Sequence, residues 1–244
     1  MQTLIVAEIA SNWEGSLVKA KKLIEKAKKA GADAVKFQMW RATDLYSNNH
    51  PEWNFIKKSE LTFDKTEKIK KMADEQGIDF FCSCFYPEAV DFLETLNVKN
   101  YKIASRTCLL EDPNSKETLF KKSITKKPVF ISMGMGGNKK YLEKLFKNSN
   151  ITFCYCISEY PTEIKKINWK TAVKFDGFSD HTLGITAPIL FATLKKQMNS
   201  KQIMIEKHVK LKESKGPDAS TSIDTNQFKI MNQSLRSIEK IKNF

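Results

Sequence analysis

Two lysines, Lys36 and Lys102, interrupt apolar runs of β-forming residues, DAVKFQM from residue 33 and YKIAS from residue 101. A lysine held in such a run is costly unless it meets an anion. Gln38 stands two residues from Lys36, on the same face of an extended strand. Ser83, Ser132, Ser158 and Ser179 fall in or just beyond four further runs. Two ammonium groups with several neutral hydroxyl donors describe a site for a phosphate or a carboxylate. In the competing account both lysines face outward and snorkel between helices. Their comparable places in two buried strands favour the anion site.

The histidines form a second pattern. There are three, and His50 lies apart from the other two. His181 follows DGFSD, and His208 lies in IMIEKHV, two residues after Glu206. On neighbouring strands, ~4.8 Å apart, both imidazoles can share one cation. Asp180 and Glu206 are available as further ligands or orienting partners. Imidazole with carboxylate suits Mn²⁺, Zn²⁺ or Fe²⁺. Either histidine alone would read as a satisfied core residue. Glu8 closes the first apolar run, LIVAEIA, with Asn12 just beyond it.

These residues need elements to hold them. Eight short apolar runs begin near residues 4, 33, 79, 101, 129, 151, 176 and 203. Between them apolar residues recur with the 3.6-residue helical period. Leu17, Ala20, Leu23, Ile24 and Ala27 form one such face, with Gly31 at the C-cap position. Others are Ile69, Met72 and Ala73, then Ala89, Val90, Leu93 and Leu96. The last, over about 225–242, carries Phe228, Met231, Leu235 and Ile238. Helical crossovers between strands require parallel pairing. Eight strand–helix units in 244 residues predict an α/β fold, a (β/α)₈ TIM barrel, as one catalytic domain over 1–244. An open doubly wound sheet is the alternative, but no GxGxxG follows the first strand.

In a barrel the active site lies at the C-terminal ends of the strands. The polar residues above fall there. The longest strand spacing holds an insertion, Arg41 to Leu61, expected to cover the mouth. Cys82/Cys84 and Cys154/Cys156 are C-x-C pairs. Alternation predicts that each pair faces away from Ser83 or Tyr155 and packs against helices.

Composition excludes several classes. The chain is 41% hydrophobic and 28% charged, which argues against a fully disordered chain. No apolar run approaches the ~18 residues of a membrane span. The N-terminus lacks a basic n-region, and Glu8 interrupts its apolar stretch, against a secretory signal. Five cysteines without a CxxC fit a reduced, cytoplasmic protein. The net charge is +13, yet only Arg41, Arg106 and Arg236 are arginine. Lysines scattered on helical faces describe a solvated surface, and the scarcity of arginine argues against base readout of nucleic acid.

Several strings, in order, resemble the sialic acid synthase (N-acetylneuraminate synthase) family. They are AEIASNWEGSLVKAKKLIEKAKKAGADAVKFQ, YKIAS, ISMGM, SEYPT, FSDHTLGI, IEKHV and GPD at 216–218. The resemblance spans nearly the whole chain, and SDHTLG followed by EKH and GPD is its most specific part. It implies a barrel that condenses phosphoenolpyruvate with an N-acylated amino sugar (N-acetylmannosamine, its 6-phosphate or a related deoxy sugar) to a nine-carbon 2-keto sugar acid with release of phosphate; the alternatives are a sibling phosphoenolpyruvate-condensing synthase for another aldose and a non-catalytic barrel that binds the ligands. It implies a divalent cofactor, usually Mn²⁺, on His181 and His208. Phosphoenolpyruvate would be held by Lys36, Ser83, Lys102, Ser132, Ser158 and Ser179. Glu8, Lys102 and His181 would be catalytic, and Asn12, Gln38, Tyr160 and Asp218 would surround the acceptor.

The chain departs from the family pattern at Trp13, where histidine is usual, and at Arg106-Thr107, where Gly-Glu is usual. Arg106 is therefore expected among the acceptor residues, favouring an acidic or phosphorylated sugar. The family carries a C-terminal antifreeze-like domain, whereas these residues stop after the eighth helix pattern. A second copy of the chain and a separate antifreeze-like protein are the expected macromolecular partners, with no nucleic acid and no membrane.

Overall fold

The structure, a computed structural model, describes residues 1–242. Its strands are β1 (Gln2–Glu8), β2 (Ala34–Met39), β3 (Asp79–Cys84), β4 (Tyr101–Ile103), β5 (Val129–Ser132), β6 (Ile151–Tyr155), β7 (Gly177–Asp180), β8 (Gln202–Lys210) and β9 (Ile223–Asp224). The helices are α1 (Leu17–Lys29), α2 (Ala42–Leu45), α3 (Trp53–Lys58), α4 (Phe63–Glu75), α5 (Pro87–Thr95), α6 (Ser115–Ile124), α7 (Lys139–Leu145), α8 (Trp169–Ala172), α9 (Thr186–Gln197) and α10 (Thr225–Lys240). Strands β1 to β8 pair in sequence order, and β1 pairs with β8 to close the ring. Every pairing is parallel, and β9 adds two residues to the far end of β8. The architecture is the (β/α)₈ barrel that the strand spacing predicted.

Local signals explain the helices that matter most. Ser16 caps α1 by accepting from the Lys19 amide, and Ala20, Leu23, Ile24 and Ala27 are buried on one stripe. Removing such a cap costs about 1 kcal/mol. Asp224 caps α10 by accepting from the Asn226 and Gln227 amides, and its buried stripe is Phe228, Met231, Leu235 and Ile238. These stripes form part of the main core, between the helices and the outer face of the barrel.

The barrel interior is layered. Its floor is apolar: Val6, Ala34, Phe81, Phe130, Cys154 and Met204 pack together. One layer higher the inward side chains turn polar, and the site begins there.

Two expectations about direction fail. Cys154 lies in the barrel floor and Cys156 lines the cavity above it, so this C-x-C pair faces inward. Tyr155 faces outward, stacked on Phe178, with its hydroxyl accepting from the Asn168 amide. The reason is register. Ser132 pairs with Cys154, and lateral neighbours share a face of the sheet. An inward Ser132 therefore carries Cys154 inward too. Gly177, beside Cys154, leaves the room: a Cβ there would lie 2.4 Å from the thiol. Cys82 and Cys84 do pack outward against helices.

The insertion over 41–61 carries α2 and α3. Only its first part meets the mouth, through Leu45 and Tyr46, next to Trp40. Its middle backs that wall, with Trp53 and Ile56 packed against Trp40 and Phe85 and Phe55 against Gly216.

Candidate active site

A cavity of about 630 Å³ opens at the C-terminal ends of the strands. Lys36, Ser83, Lys102, Ser132, Ser158 and Ser179 all line it. The deepest part is lined by two buried cations, Lys36 and Lys102, and one buried carboxylate, Glu206, with a second carboxylate, Glu8, paired to Lys36 behind them. The Lys102 ammonium donates to Glu206 Oε1 at 2.7 Å and to Ser179 Oγ at 2.9 Å. The Lys36 ammonium donates to Ser83 Oγ at 3.2 Å, pairs with Glu8, and lies 3.6 Å from Glu206 Oε2. Ser132 and Ser179 hydroxyls are 3.2 Å apart.

Charge of each sign balances in this cluster, which is what makes its burial tolerable. Burial alone would raise the Glu206 carboxyl, but Lys102 and Lys36 together hold it well below the usual range. Glu8 goes the other way. Its burial outweighs the pull of Lys36, and the nearby Glu206 charge adds to the upward push. Glu8 is thus the carboxyl of the pair that takes up a proton. Burial alone would lower the Lys102 ammonium, yet Glu206 and its other anionic neighbours keep it above its ordinary value.

His181 and His208 stand at the rim, ring centroids 5.4 Å apart. Burial pushes His181 down to about 4, with the neighbouring His208 adding to the effect. Burial pushes His208 down to about 3. Both rings are neutral at neutral pH, the form that binds a metal. His181 Nδ1 lies 2.6 Å from the Ile157 carbonyl oxygen, which only accepts, so Nδ1 carries the hydrogen and Nε2 keeps its lone pair. His208 Nδ1 is buried without a hydrogen-bond partner. Among the described residues no three His, Cys, Asp or Glu side chains form a ready ligand set. The two imidazoles, each with a ring nitrogen that no hydrogen bond occupies, are the donors a divalent ion would use here. Asp180 is no candidate ligand. Alternation from the inward Ser179 turns it outward, where it accepts from Lys207 Nζ at 2.6 Å and from the Thr182 amide at 2.9 Å.

The remaining sequence-predicted residues separate into three placements. Gln38, Arg106, Tyr160 and Asp218 line the cavity. The Tyr160 ring lies 4.1 Å from that of His181. Asp218 Oδ2 accepts from the Ser11 amide at 3.0 Å. Glu8 is fully buried and does not line the cavity; it pairs with Lys36 and accepts from Gln38 Nε2 at 3.1 Å. Asn12 is not in the cavity. It is fully buried, donating to the Val209 carbonyl at 3.0 Å and to Ser222 Oγ at 2.8 Å. The 3₁₀ turn Ala10–Trp13 sets it against the β8–β9 junction. Trp13 is buried in the main core, with the Lys65 ammonium 5.2 Å over its ring.

Arg106 lines the cavity as expected, but its charge is already paired, against the expectation that it favours an acidic or phosphorylated sugar. Asp112 holds it in two hydrogen bonds, at 2.8 and 2.7 Å. Glu111 and Asp112 also line the outer cavity, with Trp40, Leu45, Tyr46, Leu109 and Met135. The sequence reading missed these residues. They come from loops and from the insertion, where no periodicity marks direction. Cys156 was missed through its misassigned face.

Comparison with known proteins follows this geometry. The NeuB family model matches residues 23–243. The chain is 33% identical to the pseudaminic acid synthase of Campylobacter jejuni, over 98% of this chain and 74% of that protein. It is 32% identical to the N,N'-diacetyllegionaminic acid synthase of Legionella pneumophila, over 99% of this chain and 73% of that one. The crystal structure of the N-acetylneuraminic acid synthetase of Leptospira borgpetersenii, in complex with citrate, shares the fold. Its TM-score is 0.87 at 24% identity, covering 98% of this chain and 85% of that chain. Motif order, barrel and family match agree, and the chain belongs to the NeuB family of sialic-acid-type synthases.

Proposed function

We propose that this chain condenses phosphoenolpyruvate with an uncharged N-acylated amino sugar, giving a nine-carbon 2-keto sugar acid and phosphate. The observation that carries the reading is the convergence of Lys36, Lys102 and serine hydroxyls beside two neutral imidazoles in one cavity. Phosphoenolpyruvate bears a phosphate and a carboxylate, and the deep cations and hydroxyls suit both. Fixed charges of this kind also stabilise the leaving phosphate.

In the reaction the C2–C3 π pair of phosphoenolpyruvate forms a bond to the sugar aldehyde carbon, and the aldehyde oxygen gains a proton. Water adds to C2 and gives up a proton. The C2–O bond to phosphate then breaks as the new C2 hydroxyl loses its own proton, which the departing phosphate takes up, leaving a ketone. His181 and His208 would hold the divalent ion, Mn²⁺ in our reading, which would polarise the aldehyde. Lys36 and Lys102 bind and orient the anion. Glu8 holds Lys36 and Gln38 in place, and its raised pKa lets it carry a proton next to them.

The outer wall sets the acceptor class. Arg106 is already compensated by Asp112, and Glu111 and Asp218 face the same space. A 6-phosphate would meet carboxylates there. Trp40, Leu45, Tyr46, Leu109 and Met135 suit N-acyl and deoxy groups instead. The five unpaired, buried cysteines fit a reducing, cytoplasmic setting. No helix among the described residues is long and apolar enough to cross a membrane.

The test is phosphate release from phosphoenolpyruvate with Mn²⁺, across N-acyl hexosamines with and without 6-phosphate. Release that needs one unphosphorylated sugar, Mn²⁺ and His181 is expected. Release independent of sugar, or undiminished in His181→Ala, overturns the reading.

A further inference from the structure

The seam between β3 and β4 is the thinnest of the barrel. It has one register pair, Ser83 with Lys102. Its neighbours have six, between β2 and β3, and three, between β4 and β5. Both members of that single pair point into the anion end of the cavity. The strand ends that must hold a cation and a hydroxyl in place are thus poorly tied by main-chain ladder bonds.

Lys122, on α6, crosses behind this seam. It is buried, and it does not line the cavity. Its Nζ donates to the Cys84 carbonyl at the end of β3, at 2.8 Å, and to the Lys102 carbonyl on β4, at 3.2 Å. Neither partner is a carboxylate, so this ammonium is not half of an ion pair. Burying a charge against carbonyls alone is expensive. What it does gain is a bridge across two strand ends joined by a single register pair.

We propose that Lys122 is a positioning residue, a staple across the β3–β4 seam that fixes Ser83 and Lys102 for the anion. The identity of that anion rests on the function proposed above; the staple itself rests on the seam. The Lys102 carbonyl that Lys122 grips belongs to the same residue whose ammonium reaches Glu206 and Ser179. Loss of the grip displaces the functional group directly, and a shift of about 1 Å in such a group can cost on the order of a hundredfold.

A second buried lysine supplies the control. Lys195, on α9, donates to the Val173 carbonyl at 3.2 Å and to Asp176 at 2.8 Å, beside the start of β7 and away from the cavity. The variants are Lys122→Met, Lys122→Gln and Lys195→Met in the full chain, with Gln keeping one donor. The first readout is amide hydrogen exchange. Lys122→Met is expected to speed exchange roughly tenfold or more at residues 83–85 and 101–104, leaving the β1–β8 seam unchanged. The second is calorimetric binding of phosphoenolpyruvate and of inorganic phosphate. Lys122→Met is expected to weaken both at least about tenfold, the usual cost of removing a supporting contact, and Lys122→Gln by less. Lys195→Met is expected to bind as wild type despite its own loss of stability.

Native exchange at the seam in Lys122→Met overturns the staple. So does a Lys195→Met variant that weakens binding as much as Lys122→Met. Wild-type protein that ignores phosphoenolpyruvate would sink the functional reading alone, because exchange still decides the staple. Should Lys122→Met not fold, Lys122→Gln carries both readouts.

Discussion

Replacing Lys102 by methionine leaves the Glu206 carboxylate buried, with Lys36 at 3.6 Å as its nearest cation. The lost contact is the 2.7 Å hydrogen bond from Lys102, at a site where both side chains are almost wholly excluded from solvent. Breaking one side of a buried pair typically costs ~3–5 kcal/mol, because the surviving charge stays desolvated. For a chain of this size each kcal/mol shifts Tm by roughly 2–4 °C, so a fall of roughly 6–20 °C is expected. The double variant Lys102→Met/Glu206→Gln removes the orphaned charge. Its stability is expected within about 1 kcal/mol of wild type, since replacing a whole buried pair is often neutral. The assay is urea unfolding of wild type, both single variants and the double variant, near pH 7. A Lys102→Met cost below about 1 kcal/mol would refute the reasoning. So would a double variant no more stable than the Lys102→Met single.

Three further outcomes are expected. Burial raises Glu8 from 4.5 to about 7, so the stability its neutral form contributes is lost as pH rises through that window. The gap in urea midpoint between Glu8→Gln and wild type should therefore grow in favour of the variant from pH 4.5 to 7.5; a pH-independent gap contradicts this. Gly134→Ala would put a Cβ 2.6 Å from Cys156 Sγ and 2.8 Å from Ser158 Oγ. Phosphate binding should weaken about tenfold or more by calorimetry while the fold persists, and unchanged binding removes Ser158 from the anion site. Burial pushes the Cys108 and Cys154 thiols up to about 12 and Cys82 well above its ordinary value. These three should resist iodoacetamide at pH 8 until the chain is unfolded, as mass spectrometry would show; rapid labelling of the native protein refutes their burial.

The sequence alone determined the barrel. Eight apolar runs joined by helical stripes leave parallel pairing as the workable solution, and closure follows from the count. It also marked Lys36, Lys102, His181, His208 and the four serines, because polar groups in apolar runs stand out by type. Tertiary structure decided which way residues face and what they meet. Strand parity in β6 came from its lateral register with β5, so Cys154 and Cys156 entered the barrel against a local reading. Asp180 and Glu206 looked alike as acids beside histidines, and one-residue alternation sent one out to Lys207 and the other in to Lys102. Asn12 left the cavity because it sits in a short 3₁₀ turn whose packing gives its amide the Val209 carbonyl and Ser222 as partners. Arg106 found Asp112, six residues away, and the thin β3–β4 seam found Lys122 on a helix behind it. Pattern along a chain records which groups must be buried. Only the packing of strands against one another fixes the partner that each buried charge acquires, and that partner sets its chemistry.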